Sequence, residues 1–168
     1  MTTHYQSKFW ANQLVLQNAS DSVESLSRSI ANARVELKPH QVDAALFAFR
    51  SPLSKGVILA DEVGLGKTIE AGIVILQKWA ERKRNILLIL PATLRTQWQQ
   101  ELADKFFLPS VVLEAKSFNE IKKEGNPNPF NQKNRIVICS YNFASNRARE
   151  VEGVKWDLVV IDEAHRLR

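Results

Sequence analysis

Short apolar runs separated by stretches of helical periodicity set the architecture open to this chain. The runs are Val57–Ala60, Asn85–Leu90 (NILLIL), a weaker one at Val111–Leu113, then Ile136–Cys139 and Leu158–Ile161. After the first, Ile69, Ile73, Leu76 and Ala80 recur at helical spacing; after the second, Leu94, Trp98, Leu102 and Phe106 do the same. A half-exposed strand alternates apolar and polar residues, whereas a run that is apolar throughout belongs to a strand buried on both faces. Such strands, with amphipathic helices between them, imply a mainly parallel sheet with helices on both faces. The fold class is therefore α/β. Residues 125–134, rich in Asn and Pro, read as a loop.

The chain upstream of residue 57 has a different rhythm. Ser20-Asp21 with Glu24 resembles a capping box, and Val23, Leu26, Ile30 and Ala33 follow at helical spacing. A second helix is expected to open at Pro39, to carry Val42, Ala45, Leu46 and Phe49 on one face, and to end at Ser51-Pro52. We therefore expect a helical N-terminal extension over residues 1–35 and the main domain over 36–168.

Composition limits the remaining options. A chain of 168 residues fits one domain. No apolar run approaches the ~20 residues that cross a bilayer. The N-terminus lacks a signal peptide's basic and apolar segments. Cys139 is the only cysteine, so no intrachain disulfide is possible and a reducing, intracellular setting is expected. A net charge of +5 permits a nucleic-acid partner without requiring one.

The chemistry is concentrated at two places. Asp61-Glu62-Val63-Gly64-Leu65-Gly66-Lys67-Thr68 lies between an expected strand and an expected helix. Glycines let several backbone N–H groups converge on one anion, and a helix N-terminus aimed at the same point adds its dipole. Gly64, Leu65 and Gly66 would cradle phosphate, Lys67 would reach the β/γ-phosphates of ATP, and the Thr68 hydroxyl would coordinate Mg²⁺. Asp61 stands where the general pattern has its first glycine. The second place is Asp162-Glu163-Ala164-His165, directly after an apolar run. Carboxylates at the end of a buried strand are costly unless a cation or a proton needs them there. Asp162 would hold Mg²⁺ and Glu163 would activate the attacking water.

Together, Gly64-Leu65-Gly66-Lys67-Thr68 and Asp162-Glu163-Ala164-His165 resemble the first RecA-like lobe of superfamily 2 helicases, a P-loop nucleotide hydrolase fold. The loop Asp61–Thr68 is similar to that of the Swi/Snf-type branch, in which Asp is the usual first residue, and Leu59–Gly72 resembles the bacterial, RapA-like members. The resemblance covers about residues 36–168. It implies an ATP-binding lobe of a DNA-dependent ATPase that translocates on double-stranded DNA in the bacterial cytoplasm, with ATP and Mg²⁺ as cofactors and no membrane partner. It also implies that Gln41, in Leu37-Lys38-Pro39-His40-Gln41, reads adenine. Thr93 and Arg95, in Leu90–Trp98, would contact a nucleic-acid backbone, and His165 would couple the nucleotide site to neighbouring elements. Trp98 shares a face with Leu94 and Leu102 and reads as core. Tyr141 suits either a backbone contact or packing, and the sequence does not choose between them.

Within lobes of this kind, a further strand lies between the phosphate-loop strand and the Asp-Glu strand, and an arginine from a second lobe stabilises the transferring phosphoryl group. Both are expected to be missing from these 168 residues. The isolated chain is thus expected to be a fragment inactive in hydrolysis, with an open sheet edge that favours an edge-paired or swapped homo-oligomer or closes directly. Two competing expectations are a non-enzymatic lobe that binds nucleic acid or protein, and a motor fragment of a restriction or phage-defence system.

Overall fold

The computed structural model describes residues 26–27, 30, 33–35, 37–50, 56–60 and 66–167. Helix α1 (Pro39–Arg50) and helix α2 (Lys67–Ala80) precede strand β1 (Ile86–Leu90). A 3₁₀ turn (Ala92–Leu94) then leads into α3 (Arg95–Phe106), β2 (Ser110–Leu113), α4 (Ala115–Lys123) and β3 (Ile136–Ser140). Two short helices, α5 (Tyr141–Asn146) and α6 (Ala148–Glu152), precede β4 (Leu158–Ile161) and a closing 3₁₀ turn (Ala164–Leu167). The strands form one sheet in the order β2-β3-β1-β4, and every pairing is parallel.

Alternation along the strands divides the core into two. Ile86, Leu88 and Leu90 of β1, with Ile136 and Ile138 of β3, face a cluster containing Ala45 and Leu46 of α1, Ile69, Ile73 and Ile75 of α2, and Trp98, Leu102 and Phe106 of α3. Leu87, Val137 and Cys139 point the other way, onto Phe118, Phe130 and Val154. There Phe118 meets Phe130 and Phe143 edge-on, at centroid separations of 6.0 and 5.8 Å. Each buried Leu or Ile contributes ~1.5–3 kcal/mol, so β1, central and apolar on both sides, anchors the fold.

Four of the expected strands are present where the apolar runs lie, and α1 to α3 follow the expected periodicities. Leu26, Ser27 and Ile30 are helical, and Leu26 is buried in the same core as α1 to α3. The proposed cap at Ser20-Asp21, Glu24 and Val23, and the stop at Ser51-Pro52, lie outside the described residues. Helix α4 was not anticipated. It starts at a capping box in which the Ser117 hydroxyl accepts from the Glu114 N–H at 3.0 Å, and its only buried residue is Phe118, too little periodicity to announce a helix.

One expectation fails. Residues 56–60 adopt no regular secondary structure, and Ile58 is 86% exposed. A parallel strand exists only through a neighbour's hydrogen bonds, and among the described residues no strand lies on the outer side of β4. The same absence leaves β4 at the sheet edge, where Leu158 and Val160 pack against the core but Val159 and Ile161 are 43% and 41% exposed.

Candidate nucleotide site

Because the sheet is parallel, the carboxyl ends of its strands share one edge, with Leu90 level with Ser140 and Ile89 level with Ile161. In open α/β sheets this is the ligand-binding edge. Thr93 and Arg95 follow β1, Tyr141 follows β3, and Asp162, Glu163 and His165 follow β4. Residues far apart in sequence are brought to one rim by the strand order alone.

Asp162 is the most restrained of them. Its N–H donates to the Ile89 carbonyl at 3.0 Å, which extends the β1–β4 ladder by one step. Its carbonyl accepts the Tyr141 hydroxyl. Its Oδ1 accepts the Glu163 N–H at 2.9 Å, and its Oδ2 accepts the Trp98 indole N–H at 2.8 Å. Tyr141 therefore binds the backbone of the acidic segment. Trp98 is core, as its helical spacing implies, but it also holds a site carboxylate, a role the sequence reading did not anticipate. The available signal was chemical: a buried indole N–H needs an acceptor.

Glu163 turns the chain away from β4 with φ of 54°, a left-handed conformation uncommon outside glycine. Its Oε2 lies 3.2 Å from Nδ1 of His165, and both side chains are exposed. That contact is ionic only when the imidazole is protonated, and at such exposure it contributes little stability. It does keep Glu163 and His165 together at the rim.

Gly66 precedes α2 with φ of 91° and ψ of 39°. A Cβ at Gly66 would sit 2.5 Å from Nε2 at the movable end of the Gln41 side chain, so it is the left-handed φ that calls for glycine, and the turn lies directly against α1. Gln41 is 4% exposed, and its Oε1 accepts the Lys38 N–H at 3.1 Å. Its amide is thus placed beside the turn that opens α2. Lys67 and Thr68 form the first turn of α2, where N–H groups and the helix dipole favour an anion. Gly64 and Leu65 lie outside the described residues, as does Asp61. Glu70, in the same first turn, is fully buried.

Thr93 is exposed on the 3₁₀ turn, and Arg95 is held at the start of α3. The Arg95 Nε donates to the Ala92 carbonyl at 3.0 Å, and its Nη1 lies 3.5 Å from Oε2 of Glu114. Of the four cations in the run Lys78, Arg82, Lys83 and Arg84, the first and last are engaged within the chain and the middle two are exposed. Lys78 pairs with Glu81 at 3.1 Å, and Arg84 stacks 4.2 Å from the Trp79 ring centroid.

Among the described residues, no cluster of three or more His, Cys, Asp or Glu forms a metal cage. Mg²⁺ does not need one, since it binds through one or two oxygen ligands, waters and substrate phosphates. A hydroxyl at Thr68 and a carboxylate at Asp162 are oxygen donors of that kind, so the donor set fits.

Burial pushes the Cys139 thiol up to about 12 from 9.0, with Arg95 pulling weakly the other way. An acid whose folded pKa is raised contributes stability that is whole below the unfolded pKa and is lost as pH rises towards the folded value. Denaturant midpoints should therefore fall between about pH 9 and 12 in the native chain, and Cys139→Ala should flatten that decline. Native Cys139 should also resist alkylation at neutral pH.

A family profile described as the SNF2-related domain matches residues 4–168. The chain belongs to this family. Among its SNF2 relatives, the RNA polymerase-associated protein RapA of Serratia proteamaculans (strain 568) is 40% identical over 138 residues, covering 80% of this chain and 14% of RapA. RapA of Vibrio campbellii is 38% identical over 156 residues, covering 90% of this chain and 16% of RapA. The solved Sulfolobus solfataricus SWI2/SNF2 ATPase core in complex with dsDNA matches with a TM-score of 0.66 at 26% identity. That match covers 80% of this chain and 27% of the solved one. The parallel sheet described above is accordingly a RecA-like SNF2 lobe, as the resemblance implied. The chain spans 14% and 16% of the two RapA relatives.

Proposed function

We propose that this SNF2 chain binds MgATP as the first-lobe portion of a DNA-dependent translocating ATPase. The observation that carries the reading is Asp162, held at the carboxyl rim of a parallel sheet by Ile89, Trp98, Tyr141 and Glu163. Lys67 and Thr68 open a helix on the element that contacts β4. Gly64, Leu65, Gly66 and Lys67 take the phosphates, Thr68 and Asp162 hold Mg²⁺, and Gln41 reads the adenine edge through its amide. When bound, Mg²⁺ supplies charge neutralisation on the phosphates. Glu163 orients the attacking water and accepts its proton, and His165, in contact with Glu163, relays the state of that carboxylate to neighbouring elements. Thr93 and Arg95 contact the nucleic-acid backbone; for Arg95 this means exchanging Glu114 for phosphate.

The duplex DNA held by the Sulfolobus relative supports double-stranded DNA as the partner, and the bacterial RapA likenesses support a bacterial cytoplasmic setting. No helix among the described residues is long and apolar enough to cross a membrane. We read residues 1–35 as a helical extension preceding the lobe over 36–168, and we place the hydrolytic arginine on a second lobe outside these 168 residues. The isolated chain then binds nucleotide but turns it over far more slowly than 1 s⁻¹. The open edge of β4 supports edge pairing between copies, expected as a concentration-dependent dimer in sedimentation velocity; a strict monomer at high concentration ends that part of the reading.

Equilibrium dialysis against MgATP and MgGTP tests the nucleotide site. ATP should bind better, and Gln41→Ala should remove most of the preference, worth about 1–3 kcal/mol for an amide–adenine pair. A chain with no measurable MgATP binding would sink the reading.

A further inference from the structure

We propose that Trp98 is a positioning residue for Asp162, fixing its carboxylate for Mg²⁺ and tying it to helix α3. This rests on the reading of Asp162 as the magnesium carboxylate.

Trp98 is 3% exposed, between Leu94 and Leu102 on the buried side of α3, and its indole N–H donates to Asp162 Oδ2 at 2.8 Å. Phenylalanine or leucine would serve packing alone; the indole adds a donor at this depth. The other carboxylate oxygen is held by the Glu163 N–H. Rotating the carboxylate breaks one of these bonds, yet each oxygen keeps a lone pair for a cation. Donors outside the ligand sphere orient ligands in this way.

The strand cannot do this by itself. β4 is paired only on the β1 side, and its outer edge and the face carrying Val159 and Ile161 are open among the described residues. Beyond Ile161, its backbone is held by the Asp162–Ile89 bond and by the Tyr141 hydroxyl on the Asp162 carbonyl, neither of which touches the carboxylate. The bond from Trp98 crosses to a different layer, on the helix whose first turn carries Arg95 and follows Thr93. A shift of α3 at its N-terminal end, one turn before Trp98, therefore acts directly on the Asp162 carboxylate.

The test compares affinity for a fluorescent ATP analogue in Mg²⁺ and in EDTA, using the wild-type chain, Trp98→Phe, Asp162→Ala and the double variant. Trp98→Phe should weaken binding about 10-fold in Mg²⁺ and leave it unchanged in EDTA. Asp162→Ala should abolish the magnesium dependence, and adding Trp98→Phe to it should change nothing further. Equal weakening in Mg²⁺ and EDTA, or a loss that persists in the Asp162→Ala background, would overturn the proposal by showing a purely structural role. A second measurement needs neither nucleotide nor a folded Trp98→Phe chain. Among the four tryptophan indole resonances of the ¹⁵N-labelled chain, one should lie far downfield and move upfield in Asp162→Ala. If none moves, Trp98 does not hold Asp162. A wild-type chain that shows the indole response but binds no MgATP would overturn the magnesium role and with it the nucleotide reading, while leaving the Trp98–Asp162 bond established.

Discussion

Lys67→Ala should weaken MgATP binding by this chain at least about 100-fold, equivalent to roughly 2.7 kcal/mol. Lys67 is the first residue of α2, immediately after the left-handed Gly66. A phosphate there meets the helix N-terminus and needs one cation to complete its neutralisation. Lys67 lies at a helix start outside both apolar clusters, so its loss opens no core cavity and thermal unfolding should change far less than binding. Isothermal titration calorimetry alongside a melt separates the two quantities. Retained affinity in a folded Lys67→Ala chain would move the phosphate site elsewhere.

The largest effect on stability is expected where α2 crosses α3. Gly72 lies directly against the Phe106 ring: a Cβ there would fall 2.3 Å from Cε2, 2.4 Å from Cζ and 3.2 Å from Cδ2. Phe106 is itself buried in the larger core cluster. Phe106→Ala should cost about 3–5 kcal/mol in urea unfolding, through lost burial and the cavity left behind. In an exposed helix, Gly→Ala stabilises by about 1 kcal/mol. Gly72→Ala should instead destabilise by about 1–3 kcal/mol, because the ring or the helices must move. The sign alone decides whether the close approach exists. In the double variant the new methyl occupies part of the space the ring vacated, so the two losses should not add. Strict additivity would mean that the helices do not meet at this pair.

Much of the fold was legible because its signals are local. The uninterrupted apolar runs at 86–90, 136–139 and 158–161 appear as strands, and Leu94, Trp98, Leu102 and Phe106 share a buried side. Pro39 opens α1 as a proline in a first turn should. Val57–Ala60 carries the same local signal yet forms no strand, because a strand is a property of a pair and its pairing partner is not among the described residues. The loop over 125–134 is read correctly from composition, but its packing is not. Asn128 reaches the Glu150 carbonyl at 2.8 Å, and Phe130 is fully buried.

By itself the sequence determined the α/β class, the candidate phosphate turn at 64–68 and the acidic segment at 162–165, because periodicity, glycine spacing and strand-end charge are written in neighbouring residues. Tertiary structure decided what depends on distance across the chain. It put β4 at the sheet edge, placed the Gln41 amide against Gly66, and sent the Tyr141 hydroxyl to the Asp162 backbone. It also gave Trp98, 64 residues from Asp162 in sequence, a second role beyond packing. No periodicity encodes which buried donor will find which acceptor; only the folded arrangement of layers brings the two within hydrogen-bonding distance.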